Sequence, residues 1–194
     1  MTSLTSSYQT LARDELADLT APDWAFRSAL HLLAQPVDAA ISSLLEELGH
    51  KAAADRAWMF EYDAELLRFR NTHEWCRPGV ASFVEDLQGA PVTMIAWLQQ
   101  FLAAGRAVMI DRVEALPRAA RVLQVEMLRQ GDKSVLSVPV FHDGCLRACI
   151  GLDAVRAQHR WPGAEVKGLF QCADLVASAR YGRNDATQPG AGKP

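Results

Sequence analysis

The dipeptide Asp143-Gly144 joins two β-rich runs, and this feature restricts the possible folds most strongly. The runs span residues 134–141 and 145–154 and are mostly apolar. Asp-Gly between such runs predicts a tight hairpin, because glycine readily adopts the positive φ that these turns require. The chain is therefore expected to contain antiparallel sheet, and an all-helical fold is excluded.

A second hairpin is predicted in the first half of the chain. Residues 57–62 are rich in aromatic side chains, and residues 66–75 alternate between two sets of side chains, as a strand does. The intervening segment, 63–65, is short enough for an antiparallel connection. One face of the second strand is predicted to carry Leu67, Phe69, Asn71, His73 and Trp75.

Apolar residues at spacings of three and four predict the helices. A helical stretch over 24–51 is expected to break near Pro36, since proline interrupts a helix interior. Further helices are predicted over 94–102, 116–128 and 166–181, with a brief strand at 108–110. In the helix predicted over 116–128, the residues predicted to face inward are Val122, Leu123, Met127 and Leu128. Two hairpins around a central strand indicate an α+β fold, in which helices cover one mainly antiparallel sheet.

The composition places one folded domain between two polar ends. Apolar residues make up 49% of the chain and charged residues 22%, which is typical of a globular protein. We expect a flexible N-terminal segment over 1–22, a domain over 23–182, and a disordered tail over 183–194, because neither end has enough apolar side chains to bury.

Charge and hydropathy exclude several classes of partner. The net charge is −3 and the basic residues are interleaved with acids, so no nucleic-acid surface is expected. No apolar run approaches the roughly 18 residues of a membrane helix. Residues 1–20 are polar and charged and lack the apolar core of a secretory signal, so we expect a cytoplasmic protein without membrane attachment.

Several segments in order resemble a GAF domain, the small-molecule sensor module of bacterial signalling proteins, of the type found before histidine kinase or diguanylate cyclase domains. The resemblance covers about residues 25–180. It rests on residues 54–63 (ADRAWMFEYD), 71–76 (NTHEWC), 133–140 (KSVLSVPV), 143–144 (DG) and 151–156 (GLDAVR), with Trp161 before the last helix. It implies a six-stranded antiparallel sheet, with the N- and C-terminal helices on one face and a ligand pocket under short helices and loops on the other.

The function implied by this resemblance is sensory rather than enzymatic. A small molecule of unidentified chemistry would bind in the pocket and shift the terminal helices, which often pair with a second copy in this family. No output domain is recognised after residue 183, so we expect a stand-alone sensor, a piece of a longer protein, or a module that acts through a partner. The response would be carried by a homodimer or by a separate signalling output protein. Two alternatives remain open: a ligand-free dimerisation scaffold, and a thiol-dependent enzyme similar to free methionine sulfoxide reductases.

The predicted pocket lies around the loop 77–93. Trp75 and Trp97 flank this loop, which borders the ligand cavity in the resembled fold. Pockets are mostly apolar with a few polar groups, so the predicted lining adds one acid to the nearby apolar residues. An alternative is that Trp97 and Phe101 only form the buried face of a short helix. The predicted ligand-binding residues are Trp75, Met94, Trp97, Phe101, Met109 and Asp111.

Cofactor and metal chemistry find little support in the sequence. The acids considered for proton transfer, namely Glu61, Glu74, Asp111 and Asp153, are dispersed, so no catalytic residue is assigned. No Cys or His spacing suits a metal. The Asp-Ile-Pro element that accompanies bilin attachment in this family is absent. His73 is the one histidine placed in a core strand, where it would be either a structural residue or a haem ligand.

Cysteine chemistry centres on one residue. Cys76 is the candidate redox thiol, because the charge of the adjacent Arg77 would favour the thiolate. Cys145 and Cys149 lie on one strand with Cα atoms about 13 Å apart, too far for a disulfide. Cys172 is expected to be a core residue of the last helix.

Overall fold

The computed structural model describes residues 6–182, which form one seven-stranded antiparallel sheet with helices on both faces. The strands are β1 (Tyr8–Leu11), β2 (Arg56–Tyr62), β3 (Arg68–Cys76), β4 (Ala90–Pro91), β5 (Ala107–Ile110), β6 (Ser134–His142) and β7 (Cys145–Ala154). The α-helices are α1 (Asp23–Ala29), α2 (His31–Ala34), α3 (Val37–Lys51), α4 (Ala96–Ala103), α5 (Arg121–Arg129) and α6 (Gly163–Tyr181).

The sheet order is β1-β5-β6-β7-β2-β3-β4. Both predicted hairpins are confirmed, since β2 pairs with β3 and β6 pairs with β7. Asp143 and Gly144 have φ values of 49° and 72°, as the tight turn between β6 and β7 requires. The predicted α+β architecture is therefore confirmed.

The sheet has seven strands rather than the six expected, because part of the N-terminal segment is ordered. Strand β1 lies inside the segment predicted to be flexible and pairs with β5. Tyr8 packs edge-on against Trp97 of α4, with ring centroids 4.8 Å apart. A strand of only four residues gives almost no sequence signal, and its partner lies about a hundred residues away. The tail predicted over 183–194 lies outside the described residues.

Strand β3 contains a β-bulge at Thr72, which reverses the alternation of its side chains. The pairing register shifts by one residue between Met59 and Phe60 of the neighbouring strand β2. Phe69 consequently packs on one face of the sheet and Trp75 on the other. The prediction that they share a face is wrong, because strict alternation assumes an uninterrupted strand.

Helices α3 and α6 cover one side of the sheet, called here the helix face, and α1 packs on these two helices. Pro36 separates α2 from α3, as predicted. The face is a continuous apolar core in which Trp161 is fully buried, and its indole nitrogen donates a hydrogen bond to the Ala52 carbonyl oxygen. Cys172 is buried in this core, as expected.

Helices α4 and α5 and the segments 77–89 and 92–95 cover the other side, called here the pocket face. Leu123 and Met127 of α5 point inward, as predicted. Val122 and Leu128 are instead 64% and 47% exposed, so their inward placement is wrong. Helix α5 contacts the rest of the domain along a narrow stripe that contains Leu123 and Met127, which are four residues apart. Val122 and Leu128 lie beside this stripe and therefore turn toward solvent. No helix within residues 6–182 is long and apolar enough to cross a membrane.

Candidate ligand pocket

A small cavity lies on the pocket face, between the sheet and the helices α4 and α5. Its volume is about 40 Å³, enough for a few water molecules or a compact chemical group without rearrangement. Strands β2, β3, β6 and β7 form its floor. The lining residues are Trp58, Phe60, Phe69, Leu87, Met94, Ile95, Leu98, Leu123, Glu126, Met127, Gln130, Asp132, Val135 and Asp153.

Three aromatic rings form much of the floor. Trp58 and Phe60 project from the same side of β2 and stack with ring centroids 4.1 Å apart. Phe60 also contacts Phe69 of β3 at 5.0 Å. Trp58 can lie flat on β7 only because Gly151 is opposite it: a Cβ there would be 2.0 Å from the indole ring. This glycine therefore fixes the position of the ring that borders the cavity.

A buried ion cluster closes one end of the cavity. Arg56 of β2 donates hydrogen bonds to Asp132 Oδ1 at 2.6 Å and to Asp153 Oδ2 at 2.9 Å. Trp58 Nε1 donates to the other oxygen of Asp153 at 2.8 Å. Buried charges of this kind persist only when they are paired and hydrogen-bonded. The cluster joins β2 and β7 to the segment that follows α5.

Arg56 also holds the covering segments in place. Its guanidinium donates to the carbonyl oxygens of Ala81 and Gln130, each at 3.3 Å. The guanidinium carbon of Arg56 lies over the ring of Phe83, 4.9 Å from the ring centroid. One arginine thus connects the sheet, the end of α5 and the loop after β3.

The electrostatic balance of the cluster is uneven, with two carboxylates for one guanidinium. Burial raises the pKa of Asp132 well above its ordinary value, and the neighbouring Asp153 raises it further against the effect of Arg56. Burial likewise raises the pKa of Asp153. Desolvation works against the charge of Arg56, but the two carboxylates outweigh it and raise its pKa. Arg56 therefore remains charged while its partners favour holding a proton.

Of the six residues predicted to bind a ligand, the structure brings Met94 to the cavity. Trp97 and Phe101 lie nearby on α4, with ring centroids 5.3 Å apart, and pack with Tyr8 rather than along the cavity wall. Their arrangement is that of the buried face of a short helix.

The other three predicted residues lie elsewhere. The β3 bulge places Trp75 on the helix face, against Gly49 and His50. Met109 is buried on the helix face as well. Asp111 is at a surface groove beyond β5, where Arg160 donates a hydrogen bond to it at 2.5 Å.

The residues that sequence reasoning missed had weak signals. Trp58 and Phe60 alternate on an aromatic strand, which hints at a shared face. Asp153 lies near the end of an apolar strand, where the sequence shows it only as an isolated acid. Asp132 and Arg56 are 76 residues apart, and nothing in the sequence links them.

The setting of Cys76 opposes thiolate formation. Burial and the neighbouring Glu74 raise the pKa of the Cys76 thiol to about 12, although Arg56 acts in the opposite direction. Arg77, which was expected to activate the thiol, instead donates to the Ala54 carbonyl oxygen and pairs with Asp55. The expected activation by the neighbouring arginine is therefore absent.

His73 is bound into a structural network of side chains. Its Nδ1 lies 3.0 Å from the Thr72 hydroxyl oxygen, and its Nε2 lies 3.4 Å from a carboxylate oxygen of Asp38. Burial lowers the pKa of His73. Over residues 6–182, no group of three or more His, Cys, Asp or Glu side chains is arranged to hold a metal ion.

The likeness to one curated protein covers most of this chain but little of the relative. The chain is 28% identical over 175 residues to the methanogenesis regulatory histidine kinase FilI of Methanothrix harundinacea (strain 6Ac). The alignment covers 87% of this chain and 19% of the kinase. The chain thus spans about a fifth of the relative's length.

Solved structures agree with the fold. A far-red-absorbing protein in its dark state with bound biliverdin IXa superposes with a TM-score of 0.72 at 13% identity, covering 84% of this chain and 99% of that chain. The phycocyanobilin-bound GAF domain of a cyanobacterial phytochrome gives a TM-score of 0.70 at 13% identity, over 92% of this chain and 99% of that one. The family model of the GAF domain matches residues 36–179. The chain therefore belongs to the GAF domain family.

Proposed function

We propose that this GAF domain is a sensory module that binds a small molecule in the cavity beneath α4 and α5. The observation that carries the proposal is a cavity with aromatic and apolar walls and a few convergent polar groups, which is the usual make-up of a ligand site. The kinase relative and the bilin-bound neighbours support a role in signalling.

Strand β2 provides a route from the cavity to the last helix. Phe60 borders the cavity, and the adjacent Glu61 points to the helix face. Arg180 donates to the Glu61 carboxylate at 3.1 and 3.2 Å, and the Tyr181 hydroxyl donates to it at 2.8 Å. A shift of β2 on ligand binding would therefore reach the final turn of α6. The response is a population shift, which requires that the ligand bind one helix arrangement better than the other.

A thermal-shift screen tests the sensory proposal. The panel contains cyclic nucleotides, amino acids, aromatic acids and alkylamines, since a ligand that binds only the folded state raises the melting temperature. Met127→Trp fills the cavity from its roof, and Val122→Trp adds the same ring to the exposed side of α5. We expect a cavity ligand to stabilise the wild type and Val122→Trp but not Met127→Trp. If no compound shows this pattern, the proposal fails.

We do not expect this chain to bind a bilin, as its structural neighbours do. A cavity of about 40 Å³ has no space for a tetrapyrrole unless α4 and α5 move away from the sheet. Drug-sized ligands occupy pockets of roughly 300–1,000 Å³. We therefore expect a compact ligand.

We also propose that the protein forms a homodimer through an exposed apolar surface of its terminal helices. This terminal-helix patch consists of Phe26, Leu30, Leu33 and Leu175, of which Phe26 is 68% and Leu33 is 83% exposed. The four side chains line one groove between α1, α2 and α6. Exposed apolar surface of this kind typically marks an interface, and a two-fold axis would bury it against itself.

Sedimentation velocity tests the dimer. Leu33→Asp is expected to yield monomers, because it places a charge in the apolar interface. Leu67→Asp is the matched control, since Leu67 is 67% exposed at the tip of the β2–β3 hairpin, away from the patch. A wild-type protein that remains monomeric at high concentration contradicts the dimer.

We propose that the response passes to a signalling output protein in the cytoplasm. This protein would have a role comparable to that of the histidine kinase relative, and the arrangement would be that of a bacterial sensor. The ligand-free scaffold remains the alternative if the screen finds nothing and the dimer persists. The thiol-enzyme alternative has less support, because burial raises the pKa of Cys76 and Cys149 to about 12. Native-state alkylation followed by intact-mass measurement tests it: rapid labelling of Cys76 would favour the enzyme.

A further inference from the structure

The wall of the cavity carries more negative than positive charge. Three carboxylates line it, those of Glu126, Asp132 and Asp153, and none of its lining residues within 6–182 is a lysine or arginine. Glu126 is neutralised from outside by Arg129 at 2.7 Å. Asp132 and Asp153 share the single guanidinium of Arg56. When both aspartates are ionised, the wall therefore carries one negative charge in excess near Asp132.

Asp132 has an unused acceptor on this wall. Its side chain is only 4% exposed, and its Oδ1 accepts a hydrogen bond from Arg56. No residue in the described part of the chain donates to its Oδ2, whereas both oxygens of Asp153 have donors. Because Asp132 lines the cavity, this oxygen is free to accept a hydrogen bond from a donor that enters it.

The aromatic floor favours the same kind of ligand. Trp58, Phe60 and Phe69 line the cavity beside the carboxylates. The negative face of an aromatic ring attracts cations, and the attraction strengthens when the group is desolvated. A neutral apolar ligand would leave Asp132 Oδ2 unpaired, and an anion would face the excess negative charge directly.

We propose that the cavity binds a compact organic cation, whose ammonium or guanidinium group donates to Asp132 and whose carbon skeleton rests on Trp58 and Phe60. The inference rests on the proposed sensory function and narrows the ligand to one chemical class. It separates this domain from a sensor of nucleotides or carboxylic acids, because both of those ligands are anionic.

The surroundings of Asp132 favour its protonated form, and this proton competes with a bound cation. Burial and the neighbouring Asp153 raise the pKa of Asp132, while Arg56 acts against them. The other charged groups that act on this pair are Glu126 on α5 and Glu74 on β3. A ligand ammonium replaces the proton, so we expect the affinity for the cation to rise as the pH rises through the pKa of Asp132.

A series of probes of similar size but different charge tests the inference on the unmodified protein. Propylammonium, neutral 1-butanol and anionic propionate are titrated at constant ionic strength, and the indole N–H resonance of Trp58 is followed by NMR. We expect saturable shifts with propylammonium alone. Equal or stronger binding of butanol or propionate overturns the cation class, and so does the absence of propylammonium binding at millimolar concentration.

A matched pair of variants locates the site. Asp132→Asn keeps the shape of the side chain and removes its charge, and should weaken propylammonium binding at least about tenfold, the loss expected for a charge-assisted hydrogen bond. Asp86→Asn changes an exposed acid that pairs with Arg129 and should change the affinity by less than about twofold. Equal effects of the two variants overturn the assignment to Asp132.

The sensory proposal and the cation inference fail separately. If an anionic or neutral compound from the panel binds and is blocked by Met127→Trp, the sensory proposal stands and the cation class is wrong. Asp132→Asn is checked for folding by its NMR spectrum, and should it unfold, the probe series on the wild type decides the question alone.

Discussion

The two faces of the sheet each carry a tryptophan that lies on a glycine, but in different surroundings. On the helix face, Trp75 covers Gly49, where a Cβ would be 2.1 Å from the ring. On the pocket face, Trp58 covers Gly151 with equal closeness, and its remaining surface borders the cavity. The same local arrangement fills space on one face and shapes an open site on the other.

The polar networks of the two faces differ in the same way. On the helix face, the ion pair of Glu61 and Arg180 lies at the rim, with Arg180 reaching solvent. On the pocket face, Arg56 and its two aspartates are almost fully buried. Cavities and buried charges both reduce stability, and both are found on the face that carries the proposed ligand site.

The largest expected effect comes from removing the centre of the buried network. Arg56→Ala leaves Asp132 and Asp153 without their cation and should lower the free energy of unfolding by about 3–5 kcal/mol. Arg13→Ala, which breaks an exposed ion pair with Asp174 on the helix face, should cost no more than about 1 kcal/mol. Urea denaturation measures both, and similar losses would contradict the contrast between the faces.

A second variant tests whether the residues that only pack on the pocket face are separate from those that bind the ligand. Trp97→Ala removes a ring that packs on Tyr8 and Phe101 outside the cavity wall. It should cost about 3 kcal/mol, at the low end for a buried tryptophan. Propylammonium affinity should remain unchanged. Loss of binding in a variant that is still folded would place Trp97 in the site.

The two glycines offer the most direct comparison of the faces. Gly49→Ala and Gly151→Ala each force a tryptophan to move, and overpacking of this kind typically costs about 1–3 kcal/mol. Only Gly151→Ala displaces a ring that borders the cavity. We therefore expect it alone to abolish propylammonium binding. Equal binding by both variants would show that Trp58 does not shape the site.

Much of the fold could be predicted because its signals are local. Asp143-Gly144 specifies one turn, and Pro36 ends one helix. Strand β1 is not evident from the sequence because its four residues are too few to show a pattern, and it pairs with β5, about a hundred residues away. The bulge at Thr72 was missed because an alternating sequence does not show where the register shifts.

The site was harder to predict than the fold. Trp75 is predicted to bind the ligand because it flanks the loop 77–93, whereas the bulge in β3 turns its side chain to the helix face. The cavity is instead assembled from segments far apart in the chain, and its central contact joins Arg56 to Asp132. Such pairings depend on how the helices pack over the sheet, which the local sequence does not encode.

The smallest expected effect is a difference in the response of the two faces to pH. Burial raises the pKa of Glu61, but hydrogen bonds from Arg180 and Tyr181 outweigh it, so the pKa in the folded state is below the ordinary value. The stability that Glu61 contributes is present above its unfolded pKa of roughly 4.3 and is lost as the pH falls through the folded value.

Asp132 behaves in the opposite sense, because its folded pKa is raised. The folded state binds the extra proton, so the free energy of unfolding decreases as the pH rises from roughly 3.9 toward the folded pKa. Relative to wild type, Asp132→Asn should therefore gain stability with rising pH, and Glu61→Gln should gain it with falling pH. Urea denaturation of the three proteins over a pH series measures this. If the stability of both variants relative to wild type changed with pH in the same direction, the predicted difference between the pKa shifts of Glu61 and Asp132 would be wrong.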